Sequence, residues 1–169
     1  MSSDARRKLE YPGGMEIRGG REFQQRTSEA LELLQSLSEF EMIHAHLAII
    51  RQGKRSGITA WAERPVFAGG APTWTHSALW YAGAIAHDAY HAKLYRDAKQ
   101  RRPGRKPRAN AWSGKAAEQI CLAFQRDVLL SLKADKTIIE YLEKQLQNPS
   151  YQGRSGGWRG WLDYHKRWW

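Results

Sequence analysis

The 169-residue chain, 41% hydrophobic, is about one domain long and can bury one sizeable core but hardly two. Its single cysteine, Cys121, excludes an intrachain disulfide framework and a cysteine-based zinc cluster, so stability comes from packing and from any metal held by His and carboxylate. A formal charge of +10 favours anionic partners, whether nucleic acid, acidic peptides or a membrane surface, and names none of them.

Residues 1–20 are polar and glycine-rich and read as a mobile N-terminal segment. They lack an apolar signal core, and no stretch approaches the roughly 18 apolar residues of a membrane span. The expectation is a protein that is cytoplasmic as synthesised, with export as an effector without a signal peptide left open. From Arg21 to about Ser38, the residues Phe23, Ala30, Leu31, Leu34 and Leu37 recur near helical spacing and predict an amphipathic helix. In FEMIHAHLAII the period changes: Ile43, Ala45, Leu47 and Ile49 alternate with Met42, His44, His46 and Ala48, as in a strand. QGKRSG then reads as a turn, ITAWAERPVF as a second strand with Pro65 at a sheet edge, and AGGAPT as a loop.

Thr75 or Ser77 can cap the next helix, which runs through ALWYAGAIAHDAYHAKLYRDA with Gly83 as its one breaker. From Ala78 to Ala86 it is apolar on every side, which marks a core helix, so the polar residues that follow are expected to be buried too. KLYRDAKQRRPGRKPR, residues 93–108, carries eight Lys or Arg against one Asp. It reads as the frayed end of that helix and a solvated loop, or as a patch for an anionic partner such as nucleic acid or an acidic substrate. SGKAAEQICLAFQRDVLLSLKADKTIIEYLEKQL predicts one long helix, or two joined near Ala134 and Asp135, ended by Asn148 and Pro149. The main domain thus spans 21–150, followed by a basic tail, 151–169, with four of the eight tryptophans. Trp158, Trp161, His165 and Trp168 recur there at helical spacing, which suits a tail folded onto the domain or an aromatic surface for membrane, bases or a partner protein.

Chemistry concentrates in the run His87, Asp88, Ala89, Tyr90, His91. Residues four apart stack on one helix face, so His87 and His91 can aim both imidazoles at one point, with Asp88 about 100° around at its edge. This is the spacing of the zinc motif H-E-x-x-H, with Asp in place of Glu. A catalytic zinc takes three protein ligands and keeps a position open for water. Glu118 is the candidate third ligand, because a carboxylate within the largely apolar AAEQICLAF is costly to bury unless a metal or cation neutralises it. Plainer roles fit the same residues: satisfied core histidines beside Tyr81, Tyr90 or Tyr95, and a Glu118 that caps its helix or pairs with Lys115. His44 and His46 share a face of the expected strand and line the cleft or meet solvent, Cys121 reads as core, and Gln125 falls seven residues after Glu118.

A buried helix with H-[ED]-x-x-H, a variable loop and a following helix with a Glu resembles the zincin metallopeptidases of the glutamate-ligand kind, the gluzincins. The preceding helix, strand, strand and loop are similar to small zincin-like domains of bacterial effectors and phage-associated proteins. The resemblance covers roughly residues 22–148. It implies an α+β fold with a short antiparallel or mixed sheet, Zn2+ bound by His87, His91 and Glu118, Asp88 as general base, and a peptide or protein substrate added as a strand along ITAWAERPVF. Asp departs from the usual Glu by one methylene, which bears on the reach of the base. The expectation is a zinc-dependent metallopeptidase. Its competitor is a non-catalytic, basic, Trp-rich binding module for nucleic acid or protein, a metal-binding pseudoenzyme included.

Overall fold

The computed structural model describes residues 7–11 and 14–147; residues 1–6, Asn148, Pro149 and the tail 151–169 lie outside them. Along the chain come β1 (Arg7–Tyr11), β2 (Met15–Gly19), α1 (Arg21–Gln35), α2 (Phe40–His46), β3 (Ile49–Gln52), β4 (Gly57–Thr59) and β5 (Val66–Gly69). Then follow α3 (Ala71–Trp74), α4 (Ala78–Gln100), a 3-10 turn at Ala109–Ala111, α5 (Lys115–Ser131) and α6 (Lys136–Gln147). The five strands form one mixed sheet in the order β1-β2-β3-β5-β4, so the fold is α+β. β2, β3 and β5 are parallel, while β1 and β4 run antiparallel to their neighbours at the two edges.

Helix α1 forms because its apolar positions recur on one stripe: Phe23, Thr27, Ala30, Leu31 and Leu34 are all buried. Phe23 meets Trp74 edge-on at 5.7 Å and Tyr81 at 6.2 Å, which ties α1 to α3 and α4. Tyr81 is fully buried, and its hydroxyl lies 3.0 Å from Thr27 Oγ1. Thr27 spends its own hydrogen on Phe23 O at 2.7 Å, so Tyr81 donates to Thr27 and neither hydroxyl is stranded in this core. Burial pushes the Tyr81 phenol well above its ordinary range.

Ser77 caps α4 by accepting from the Trp80 backbone N–H at 3.1 Å. Every residue from Trp80 to Ala86 is buried, which is the all-round apolar helix the sequence predicts. Gly83 is no breaker here: a Cβ on it would sit 2.8 Å from Leu129 Cδ1, so its bare backbone lets α5 pack close against α4. A second apolar cluster, Trp80, Leu122, Leu129, Ile138 and Leu142, fastens α5 and α6 to the same helix. The expected join near Ala134 and Asp135 is present: α5 ends at Ser131, Lys133 follows at φ 56°, and α6 begins at Lys136. No described helix is long and apolar enough to cross a membrane.

Several expectations fail, among them AGGAPT, which is no loop but the end of β5 and the start of α3. FEMIHAH is a helix, not a strand, and strand β3 starts only at Ile49. Phe40, Ile43 and Leu47 satisfy a three-to-four spacing as well as alternation satisfies a strand, and seven residues are too few for the period to decide. Within the segment read as mobile, Arg7–Tyr11 and Met15–Gly19 pair as antiparallel strands, with Leu9 opposite Ile17 and Tyr11 opposite Met15. ITAWAERPVF is not one strand either, because it turns between β4 and β5, with Ala60 to Pro65 making the return.

Candidate metal centre

Helix α4 presents His87 and His91 on one face, one turn apart, with their rings 4.9 Å apart. Facing them, α5 begins after Gly114, whose φ of +85° favours glycine and turns the chain from the preceding loop into the helix. That places Glu118 in the first turn of α5, where the helix dipole also favours its negative charge. The three side chains meet. His91 Nε2 lies 3.1 Å from Glu118 Oε2, His87 Nε2 3.2 Å from Glu118 Oε1, and the two Nε2 atoms are 3.2 Å apart.

Those spacings suit a cation. Ligands about 2.0 to 2.1 Å from a tetrahedral ion lie about 3.3 to 3.4 Å from one another, close to the 3.2 Å between the two imidazole nitrogens, while each Glu118 oxygen faces one of the histidines. His91 is further prepared: its Nδ1 donates to the carbonyl of Trp112 at 2.7 Å, fixing the ring so that Nε2 faces Glu118 and His87. His87, His91 and Glu118 therefore form a group that can hold a metal ion.

Without a cation, burial alone would disfavour the charged forms of His91 and Glu118. Hydrogen bonds with Cys121 and Glu118 outweigh burial and hold the His91 imidazolium up to about 11. Burial raises Glu118 less than His87 and His91 lower it, so its carboxyl stays below the usual range. Asp88 behaves differently. Burial pushes its carboxyl up to about 6, against the pull of His87 and His91 and with added repulsion from Glu118.

The group opens onto a cavity of about 300 Å³. Asp88 lines it beside His87, and Trp112 to Gly114 close one end. Ser56, Gly57 and Ile58, at the start of edge strand β4, line it as well. Gln125 lines it too; it is 1% exposed, and its Nε2 has no hydrogen-bond partner among the described residues. The structure thus brings together His87, Asp88, His91 and Glu118, and with them Gln125, whose place seven residues after Glu118 puts it on the same helix face. It sets His44 and His46 apart on α2, where His46 Nδ1 bonds Met42 O at 2.9 Å. Cys121 is fully buried, as expected of a core residue, and it also contacts His91. The Trp112 carbonyl and the Ser56–Ile58 wall left no side-chain pattern in the sequence, since one is backbone and the other depends on strand order. No family model, curated protein or solved structure matches this chain.

Proposed function

We propose that the protein is a zinc-dependent metallopeptidase in which His87, His91 and Glu118 hold the metal and Asp88 is the general base. The observation that carries this reading is the convergence of His87, His91 and the Glu118 carboxylate, each pair meeting at 3.1 to 3.2 Å and one donor atom from each within 4.8 Å of the others, on a cavity walled by an edge strand. Two imidazoles and one carboxylate are the ligand set of a catalytic zinc with a fourth position left to water. A zinc ion bound there would supply a Lewis acid and a water acidified to about neutral pH. Asp88, next to His87 in the chain and on the same cavity wall, accepts the proton of the attacking water and returns it to the leaving amine. β4 has a strand neighbour on one side only among the described residues, so an extended peptide adds along its outer edge and its backbone crosses the cavity. The Gln125 amide then has a carbonyl oxygen of the bound peptide to donate to.

Metal analysis of the purified, dialysed protein tests the reading first, with about one zinc per chain expected. Glu118→Gln and His87→Ala should each lose it. Asp88→Asn should keep the zinc and lose cleavage of an unfolded protein substrate or a mixed peptide library. A wild-type protein without stoichiometric metal would sink the proposal, and one that holds zinc yet cleaves nothing would reduce it to metal binding.

A further inference from the structure

Away from the metal cavity, the densest chemistry on the described surface is positive. After α4 ends at Gln100, the chain folds back so that Pro107 and Ala98 are buried while Arg101, Arg102, Arg105, Lys106 and Arg108 stay exposed. Between helix and loop lies a cavity of about 280 Å³ walled by Arg101, Arg102, Arg108 and Asn110, with no carboxylate among its lining residues. None of the three arginines pairs with a described acidic residue. Like charges gathered at one cavity repel unless an anion sits among them, and the guanidinium fork matches phosphate oxygens two at a time.

The positive surface does not stop at one phosphate. A second cavity, about 360 Å³, borders the preceding turns of α4 and is lined by Tyr95, Arg96, Lys99 and Trp61, with Glu63 as its one acid. Arg96 is held in place by donating to Ala45 O at 3.0 Å. Trp61 is 57% exposed, and its ring is braced against that of Trp112 at 5.7 Å, so an aromatic face is offered in a fixed orientation. Tyr95, Arg96, Ala98 and Lys99 lie in the last two turns of α4, and Arg101 and Arg102 directly follow its last residue, Gln100, so the two cavities border one short stretch of chain. Cations therefore run from the arginine cavity to the exposed indole, a row that meets a chain of anions.

We propose that this face, from Trp61 across Arg96 and Lys99 to Arg101, Arg102 and Arg108, binds single-stranded nucleic acid without sequence preference. The cations track the backbone and the Trp61 indole stacks a base. The choice of nucleic acid over an acidic polypeptide rests on that combination, since carboxylate side chains offer no flat ring to stack. This activity uses none of the metal-site residues and stands whether or not the protein is a peptidase.

The test is fluorescence-anisotropy titration of a labelled single-stranded oligonucleotide with the full-length protein over a series of salt concentrations. Arg101→Gln/Arg102→Gln/Arg108→Gln should reduce the slope of log K against log salt by about 2, near 0.7 for each phosphate no longer neutralised. A control of equal charge change on exposed residues elsewhere, Arg21→Gln/Lys54→Gln/Lys144→Gln, should leave most of the slope in place. Trp61→Ala should weaken binding about tenfold with the slope unchanged, the mark of missing stacking and not of missing charge. Equal reductions of the slope in the two triple variants would overturn the proposal. So would binding of polyglutamate or of anionic vesicles as tight as that of the oligonucleotide at the same salt.

Discussion

Burying a side-chain amide without a hydrogen-bond partner costs a folded protein about 1–3 kcal/mol, and Gln125 carries such an amide into the wall of the metal cavity. Leucine is apolar, of comparable volume, and carries no such cost. Gln125→Leu should therefore raise the melting temperature slightly while lowering kcat/KM for peptide cleavage, a divergence that thermal unfolding and kinetics on one preparation would reveal. If both fall together, the amide is held by something in the folded chain and has no part in substrate binding. At this scale much of the site was legible. His87 and His91 are four apart on a helix, and Glu118 is a lone acid in an apolar run, so residue type and spacing alone pointed to them. The partner of His91 is a backbone carbonyl, and Trp112 carries no mark in its side chain of the bond its carbonyl accepts.

Two helices carry the centre, so their separation sets its geometry. α4 and α5 approach closely where Gly83 meets Leu129. Gly83→Val forces a branched side chain into that narrow space, costing about 1–3 kcal/mol of stability and moving Glu118 away from the histidines. The expected result is a lower melting temperature together with a zinc affinity about tenfold weaker in chelator competition, although no ligand is altered. Unchanged affinity would mean that the helices adjust without disturbing the site. The elements most legible in the sequence are the long ones, α1, α4, α5 and α6, whose apolar stripes repeat often enough to fix a period. α2 is misread as a strand because its seven residues fit either period. The β1–β2 hairpin escapes notice although Leu9, Tyr11, Met15 and Ile17 alternate around a Pro-Gly-Gly run, because the charged residues among them mask the pattern.

For the molecule as a whole, Glu16 on β2 joins the sheet to the turn before β5. Its carboxylate accepts from Arg18 Nε at 2.9 Å and from the Arg64 guanidinium, and these bonds hold its pKa down to about 2. A depressed pKa adds stability above the unfolded value near 4.5, and that contribution fades as the pH falls towards 2. Acid unfolding followed by circular dichroism should thus be shallower between those limits in Glu16→Gln. Zinc acts on the same global equilibrium: at about a hundred times its Kd it should add about 2.7 kcal/mol, or roughly 5–10 °C for a domain of this size, and His87→Ala should abolish the shift. The bond from His91 to Trp112 O extends this reach. Trp112 closes the segment that starts with the arginines after α4 and passes through the 3-10 turn, so a ligand that changes this segment's preferred conformation changes how firmly His91 is braced. If the two proposed sites are both occupied, they share one free energy: whatever factor an oligonucleotide applied to metal affinity, the metal would apply to oligonucleotide affinity, with the loop between them as the means by which each site senses the other.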